Sequence, residues 1–386
     1  MIIDAHNHIL TAGLYPGYER FIKEMTRGFF QSRGQLPTDR DPTEEDWKGL
    51  EYLWNPIDPE ALLRDHVRIG VDKCTILAVA PSEYTRYEAR GTVDITGVTG
   101  VEGPPSIDKG NDYIAALVRK YPDKFIGMAA VNPRFRGVRA AVVELDRAVT
   151  KLGLAGLKLY PMYDHWAVND RDLAFPIFSK AAELNIPVMI HLSTTPVSDT
   201  VLLYGWPVLL DDVARAFPSL RMLVCHAGHP WVDECLVLAS RHPNVYLDVS
   251  FFNSTLSRRQ TYGFLQRARQ LGCPWSRICW ATDYPGFEFP ETLLPKFALV
   301  NDVAEDTDST PISEADLARM LGGNYARFIG MDWSLEETRR QMGELETRWR
   351  RTWEEKTAPP AKPSGGDVPK PRRRRPGGGG CPCCGW

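Results

Sequence analysis

Eight short apolar, β-rich runs recur along the chain, each ending near a polar residue, and this repetition constrains the fold more than any other feature. They occupy residues 2–6, 73–79, 125–131, 155–160, 187–191, 221–226, 245–249 and 278–283. Stretches with 3.6-residue periodicity lie between them, among them 59–70, 111–121, 138–152, 173–184 and 258–271. Strand and helix in alternation predict a parallel sheet, and eight such units predict closure into a (β/α)8 TIM barrel. Barrels of this kind place their chemistry at the C-terminal strand ends, so the residues that close each run are the candidates to read first.

A length of 386 residues accommodates one such domain with additions. Residues 1–330 read as the catalytic barrel, with an insertion after strand 1 at 11–56, a helical extension at 331–356 and a tail at 357–386. The insertion carries Phe29, Phe30, Trp47, Tyr52 and Trp54 where a barrel puts substrate-contacting loops, which suits a lid or a homodimer element, or equally a surface insertion with a small core of its own. The tail is rich in Pro, Gly and Arg, with Arg372 to Arg375 and the run Cys381-Pro382-Cys383-Cys384, and lacks the apolar content to fold, so disorder is expected. Its cysteines have no second pair at zinc-ribbon spacing. Deleting residues from Thr357 onward is therefore expected to leave catalysis intact, which the turnover of the truncated protein would check.

A net charge of −3 gives no reason to expect a nucleic-acid or membrane partner, which leaves a small-molecule substrate to be argued from the site. Without a basic leader or a run of about 18 apolar residues, the expected location is cytoplasmic. Cys74, Cys225, Cys235, Cys273 and Cys279 are scattered singly among apolar neighbours, as reduced core thiols would be.

The first run ends Asp4-Ala5-His6-Asn7-His8. Side chains alternate along a strand, so His6 and His8 share a face and could grip one cation, although a lone His-x-His is also compatible with two turn histidines. The metal reading gains weight from the other strand ends, since His191 closes the fifth run, His226 the sixth and Asp283 the eighth. Neutral imidazole is a good ligand for zinc, and a carboxylate adds charge while still able to accept a proton. His229 reads as a loop residue near the mouth, and His66, His165 and His242 as hydrogen-bonded structural histidines, with His165 bordering the pocket. Tyr160, Trp166, Trp231 and Tyr284, with Tyr163 and Trp206, sit on mouth loops and suit a flat apolar or aromatic substrate, or ordinary loop packing.

These residues carry a family resemblance. IIDAHNH at 2–8, GLKLYP at 156–161, NIPVMIH at 185–191, VCHAGHPW at 224–231, WATDYP at 280–285 and GNYARFIG at 323–330 resemble, in order, the amidohydrolase superfamily. The resemblance is to its amidohydrolase-related group, which includes aminocarboxymuconate-semialdehyde decarboxylase and aromatic-acid decarboxylases. It covers the chain to about residue 330 but not the 11–56 insertion or the tail.

The resemblance implies that His6, His8, His191 and Asp283 hold one divalent metal, most often zinc, with manganese, iron or cobalt as alternatives. His226 would then face the substrate. Asp283 would take the proton of a metal-bound water whose pKa is lowered to ~7. It also implies that Lys158, if carbamylated, could bridge two ions, with His226 becoming a ligand; otherwise Lys158 balances charge near Asp283 or anchors a substrate carboxylate. Hydrolysis of an amide, ester, lactone or thioester is the reading adopted from the His-x-His and Lys158 set. The alternatives are non-oxidative decarboxylation of an aromatic or muconate-type acid, and a silent barrel that only binds. The third is disfavoured because a polar cluster in a barrel mouth has no packing benefit.

Overall fold

The computed structural model describes residues 1–9, 18–53, 58–79, 109–197, 200–285, 289–304 and 310–357. Its eight strands are β1 (Ile3–Asn7), β2 (Lys73–Leu77), β3 (Phe125–Ala130), β4 (Gly156–Leu159), β5 (Val188–Ile190), β6 (Met222–Val224), β7 (Val245–Asp248) and β8 (Ile278–Cys279). They lie in one sheet in sequence order, parallel throughout. The ring is drawn together between β8 and β1 by single hydrogen bonds: Asp283 N to His6 O at 3.0 Å, His8 N to Tyr284 O at 2.8 Å, and Ala5 N to Trp280 O at 3.4 Å. Helices Pro59–Ile69, Lys109–Lys120, Val138–Thr150, Phe175–Glu183 and Arg258–Gln270 follow the periodic stretches closely.

The runs are apolar on both faces because both faces are buried. Ile3, Ala5, Leu77, Met128, Met189, Leu223, Cys225, Tyr246, Cys279 and Ala281 form an inner cluster, plugged below by Tyr325 and Phe328 of helix Asn324–Ile329. Their neighbours of opposite parity, such as Ile2, Ala129, Val188, Met222, Val245 and Ile278, join the outer cluster under the helices. Gly127 marks how tightly that layer closes: a Cβ there would stand 2.6 Å from Leu154 and 2.8 Å from Val118.

In the insertion, helix Tyr18–Ser32 and the segment that follows bury Ile22, Phe30, Leu36, Trp47, Leu50 and Leu53 in packing continuous with the outer cluster. Trp54 lies outside the described residues, as does the tail from 358, including Arg372 to Arg375 and the terminal cysteines. The extension is one long helix, Leu335–Thr357, pinned by Trp349 Nε1 donating to Ile69 O at 2.9 Å. No helix among the described residues is long and apolar enough to cross a membrane.

Candidate metal centre

Strand parity explains which side chains reach the barrel mouth. Lys158 follows the inner parity of β4, His191 that of β5, Cys225 that of β6, Asp248 and Ser250 that of β7, and Asp283 that of β8. His6 does not. With Ile3 and Ala5 facing inward, an unbroken β1 would turn His6 outward with Asp4. A register shift between Asp4 and Asn7, three residues against two on β2, inserts one residue and brings His6 round to the mouth. His226 is likewise out of parity and is returned by a left-handed turn: His226 lies at φ 60° and Ala227 at φ 49°, followed by Gly228 at φ 68°. Gly228 is required twice over, since a Cβ there would also stand 2.6 Å from Cys235. Asp283 is left-handed too, at φ 65°.

The result is a triangle of donor atoms. His6 Nε2 and His8 Nε2 are 3.3 Å apart, and Asp283 Oδ1 is 3.4 Å from each. An atom equidistant from such corners lies ~2.0 Å from each in plane, which matches the bonds a divalent metal makes to imidazole and carboxylate. The donor chemistry fits as well. His6 Nδ1 donates to Asp248 Oδ2 at 3.0 Å, the carboxylate support common to metal-bound histidines, so Nε2 is the atom that would give up its proton and turn a lone pair to a cation held between the other two corners. Burial and Lys158 oppose a proton on His6, while Asp248, Cys225 and Asp283 favour it, and its pKa is pushed up to about 10. Burial would raise the Asp283 carboxyl, but His6, His8 and His226 hold it well below the usual carboxylate range. Positive charge is favoured at His6 and beside Asp283, while burial lowers His8 below the ordinary imidazole range.

His191 is not one of the three corners. Its Nδ1 lies 3.1 Å from His226 Nε2, and its Nε2 is buried with no hydrogen-bond partner. Burial lowers both rings, His191 well below the ordinary imidazole range and His226 to about 3, so both are neutral. Lys158 is fully buried, donates from Nζ to Cys225 Sγ at 2.8 Å and stands 5.1 Å from the Tyr160 ring centre.

The expected substrate contacts diverge. The Tyr160 hydroxyl donates to Ala78 O at 2.9 Å, Trp166 is buried in the outer cluster, and the buried Tyr284 reaches Asp65 at 3.3 Å. Trp231 is half-buried before helix Val232–Arg241. The rings beside the histidines are Tyr163, 4.9 Å from His191, and Phe251, 6.1 Å from His226 and 6.0 Å from His229. Phe251 is held at φ 40°, ψ −56°, a conformation that costs on the order of 1–3 kcal/mol and persists where the surroundings impose it. His66 and His242 are structural, bonded to Asp4 at 2.9 Å and Asp211 at 2.7 Å, and Arg134 donates to the backbone carbonyl of His165 at 2.6 Å.

Sequence reading passed over Asp248, Ser250 and Cys225. One signal was available: Asp248 is a charged residue at inner parity in an otherwise apolar strand, where only a partnered carboxylate is tolerated.

Comparison with known proteins identifies relatives of this chain. The chain is 25% identical over 251 residues to 2-amino-3-carboxymuconate-6-semialdehyde decarboxylase of Dictyostelium discoideum, covering 58% of this chain and 66%, just under two thirds, of that protein. It is 24% identical over 265 residues to gamma-resorcylate decarboxylase of Rhodococcus jostii, covering 58% and 76%. The crystal structure of 5-carboxyvanillate decarboxylase from Novosphingobium aromaticivorans, complexed with manganese and 4-hydroxy-3-methoxy-5-nitrobenzoic acid, shares the fold at a TM-score of 0.55 and 19% identity, over 86% of this chain and 96% of that one. Residues 3–331, nearly the whole barrel, match the Amidohydro_2 family, described as amidohydrolase, and the chain belongs to that family.

Proposed function

We propose that this protein is a divalent-metal-dependent, non-oxidative decarboxylase of an aromatic or muconate-type carboxylic acid. The observation that carries the proposal is the donor triangle of His6, His8 and Asp283 at the mouth of a barrel whose relatives include several decarboxylases. Hydrolysis, the first expectation from the ligand set, has no comparable support among these relatives. His6, His8 and Asp283 would hold the ion, with the unpartnered Nε2 of His191 as a further ligand. The bound ion supplies Lewis acidity toward a substrate carboxylate and a neighbouring oxygen. Manganese is as suitable as zinc, because imidazole and carboxylate together serve either, and manganese accompanies the structurally similar decarboxylase.

In decarboxylation the bond between the carboxyl carbon and the ring or chain breaks, CO2 leaves, and the remaining carbon takes a proton. Asp283, held ionised by its histidine neighbours, would take that proton from water and pass it to the carbon. His226, kept neutral by burial, orients the substrate rather than acting as an imidazolium acid. Tyr163 and Phe251 flank these histidines and would border a flat substrate. The test is a panel of hydroxybenzoates, muconates, lactones and thioesters, with manganese or zinc supplied. CO2 release from an aromatic or muconate-type acid is the expected result; turnover confined to lactones or thioesters, with water consumed, would return the hydrolase reading.

A further inference from the structure

Asp248 is fully buried and accepts from four directions: His6 Nδ1 at 3.0 Å, the His226 amide at 2.9 Å, the Ser250 amide at 3.0 Å and the Ser250 hydroxyl. The Ser250 oxygen also lies 2.8 Å from His226 Nδ1 and 3.2 Å from His6 Nδ1. A hydroxyl has one proton. Were that proton turned to either imidazole, the Ser250 and Asp248 oxygens would face each other at close range with nothing between them. The arrangement that satisfies every atom has Ser250 donating to Asp248 and His226 Nδ1–H donating to Ser250.

The remaining assignments follow in sequence. With its proton on Nδ1, neutral His226 has a lone pair on Nε2, and His191 Nδ1–H, 3.1 Å away, is the group among the described residues that fills it. Neutral His191 then has its lone pair on Nε2, the atom that is buried without a partner. His6, donating from Nδ1 to the same carboxylate, likewise keeps Nε2 as the nitrogen that a metal would take in place of a proton. Two histidines from strands on different sides of the barrel are thus given the same tautomer by one carboxylate.

We propose that Asp248 and Ser250 are positioning residues that set histidine tautomers, Asp248 directly for His6 and through Ser250 and His226 for His191, so that both Nε2 atoms offer lone pairs to the metal. This rests on the metal site of the proposed function but not on its reaction. The expected effect follows from the known weight of the groups behind metal-bound histidines, whose removal lowers metal affinity by roughly 10–100-fold.

The experiment uses the full chain labelled with 15N-histidine and Zn2+ as a diamagnetic probe. Long-range proton–nitrogen correlations report which ring nitrogen carries hydrogen, and chelator competition gives the Zn2+ affinity. In the wild type, His226 and His191 should both carry their proton on Nδ1. In Ser250→Ala the His226 proton should redistribute toward Nε2, and Zn2+ affinity should fall by roughly 10–100-fold with the His6 tautomer retained. Asp248→Asn should disturb His6 and His226 together. A wild-type His226 protonated on Nε2, in metal-free or zinc-loaded protein, overturns the proposal. So does Ser250→Ala with unchanged tautomers, since weakened binding alone would then reflect packing. A protein with these tautomers that releases no CO2 from any acid defeats the decarboxylase reading and leaves this one standing.

Discussion

Asp283→Asn is expected to lower turnover by at least ~100-fold while most of the metal stays bound. Asparagine keeps an oxygen at the corner of the triangle, 3.4 Å from both His6 and His8 in the native residue, but has neither the charge nor the capacity to carry a proton. The measurement is kcat on the acid that releases CO2, with metal content by elemental analysis of the same preparation. His226→Ala makes the informative contrast. Its ring bonds to His191 and Ser250 and lies 5.0 Å from the His6 ring without giving a nitrogen to the triangle, so most activity should vanish with the metal still bound at saturating ion, its affinity weakened through His191 as in Ser250→Ala. Loss of one of two ions in His226→Ala would instead make it a ligand of a binuclear site. If both variants keep near-normal rates with metal bound, the division of roles proposed here is wrong, whatever the fold.

His66→Phe should cost about 3–5 kcal/mol of stability, although His66 is remote from the triangle in sequence and makes no contact with it. His66 Nδ1 faces Leu62 O at 2.8 Å and Nε2 faces Asp4 Oδ2 at 2.9 Å; both partners are acceptors, so both nitrogens must donate and the ring is an imidazolium. Burial penalises that charge, while Cys74 and the Asp4 carboxylate favour it, and the balance lies well above the ordinary value of 6.5. Asp4 also accepts from the Thr282 hydroxyl at 2.6 Å and the Thr282 amide at 3.0 Å, so one carboxylate ties β1 and the chain beyond β8 to helix Pro59–Ile69. Phenylalanine keeps the ring volume and strands the carboxylate. Because the folded pKa is raised, the stabilisation is complete below about 6.5 and is lost as pH rises through the folded value. Urea unfolding of wild type and variant should therefore show a gap that narrows toward alkaline pH. A gap constant from pH 6 to 10 would mean the pair is not ionic.

Much of the barrel was legible because its signal is local. Gly156–Leu159 and Met222–Val224 fall inside the expected runs, and Arg258–Gln270 inside the expected helical stretch, since a period of two or 3.6 residues is a property of neighbours in the chain. The candidate site was legible in its residue types and strand ends for the same reason. His66 shows the limit. A hydrogen-bonded structural role could be expected of it, but not its partner 62 residues away, nor that it carries charge.

The sequence by itself determined the architecture, the ring of strand-end histidines with Asp283, and the family to which they point. Tertiary structure alone decided which of these atoms meet. The bulge in β1 decides that His6 faces the mouth and not the helices, and the left-handed turn at His226 and Ala227 does the same on β6. Asp248 and Ser250 became part of the site only when β7 curved beside β6 and set them against His226. The physical reason is that patterning specifies a face, whereas a contact across the barrel depends on register and backbone handedness, and one extra residue in a strand exchanges the two faces.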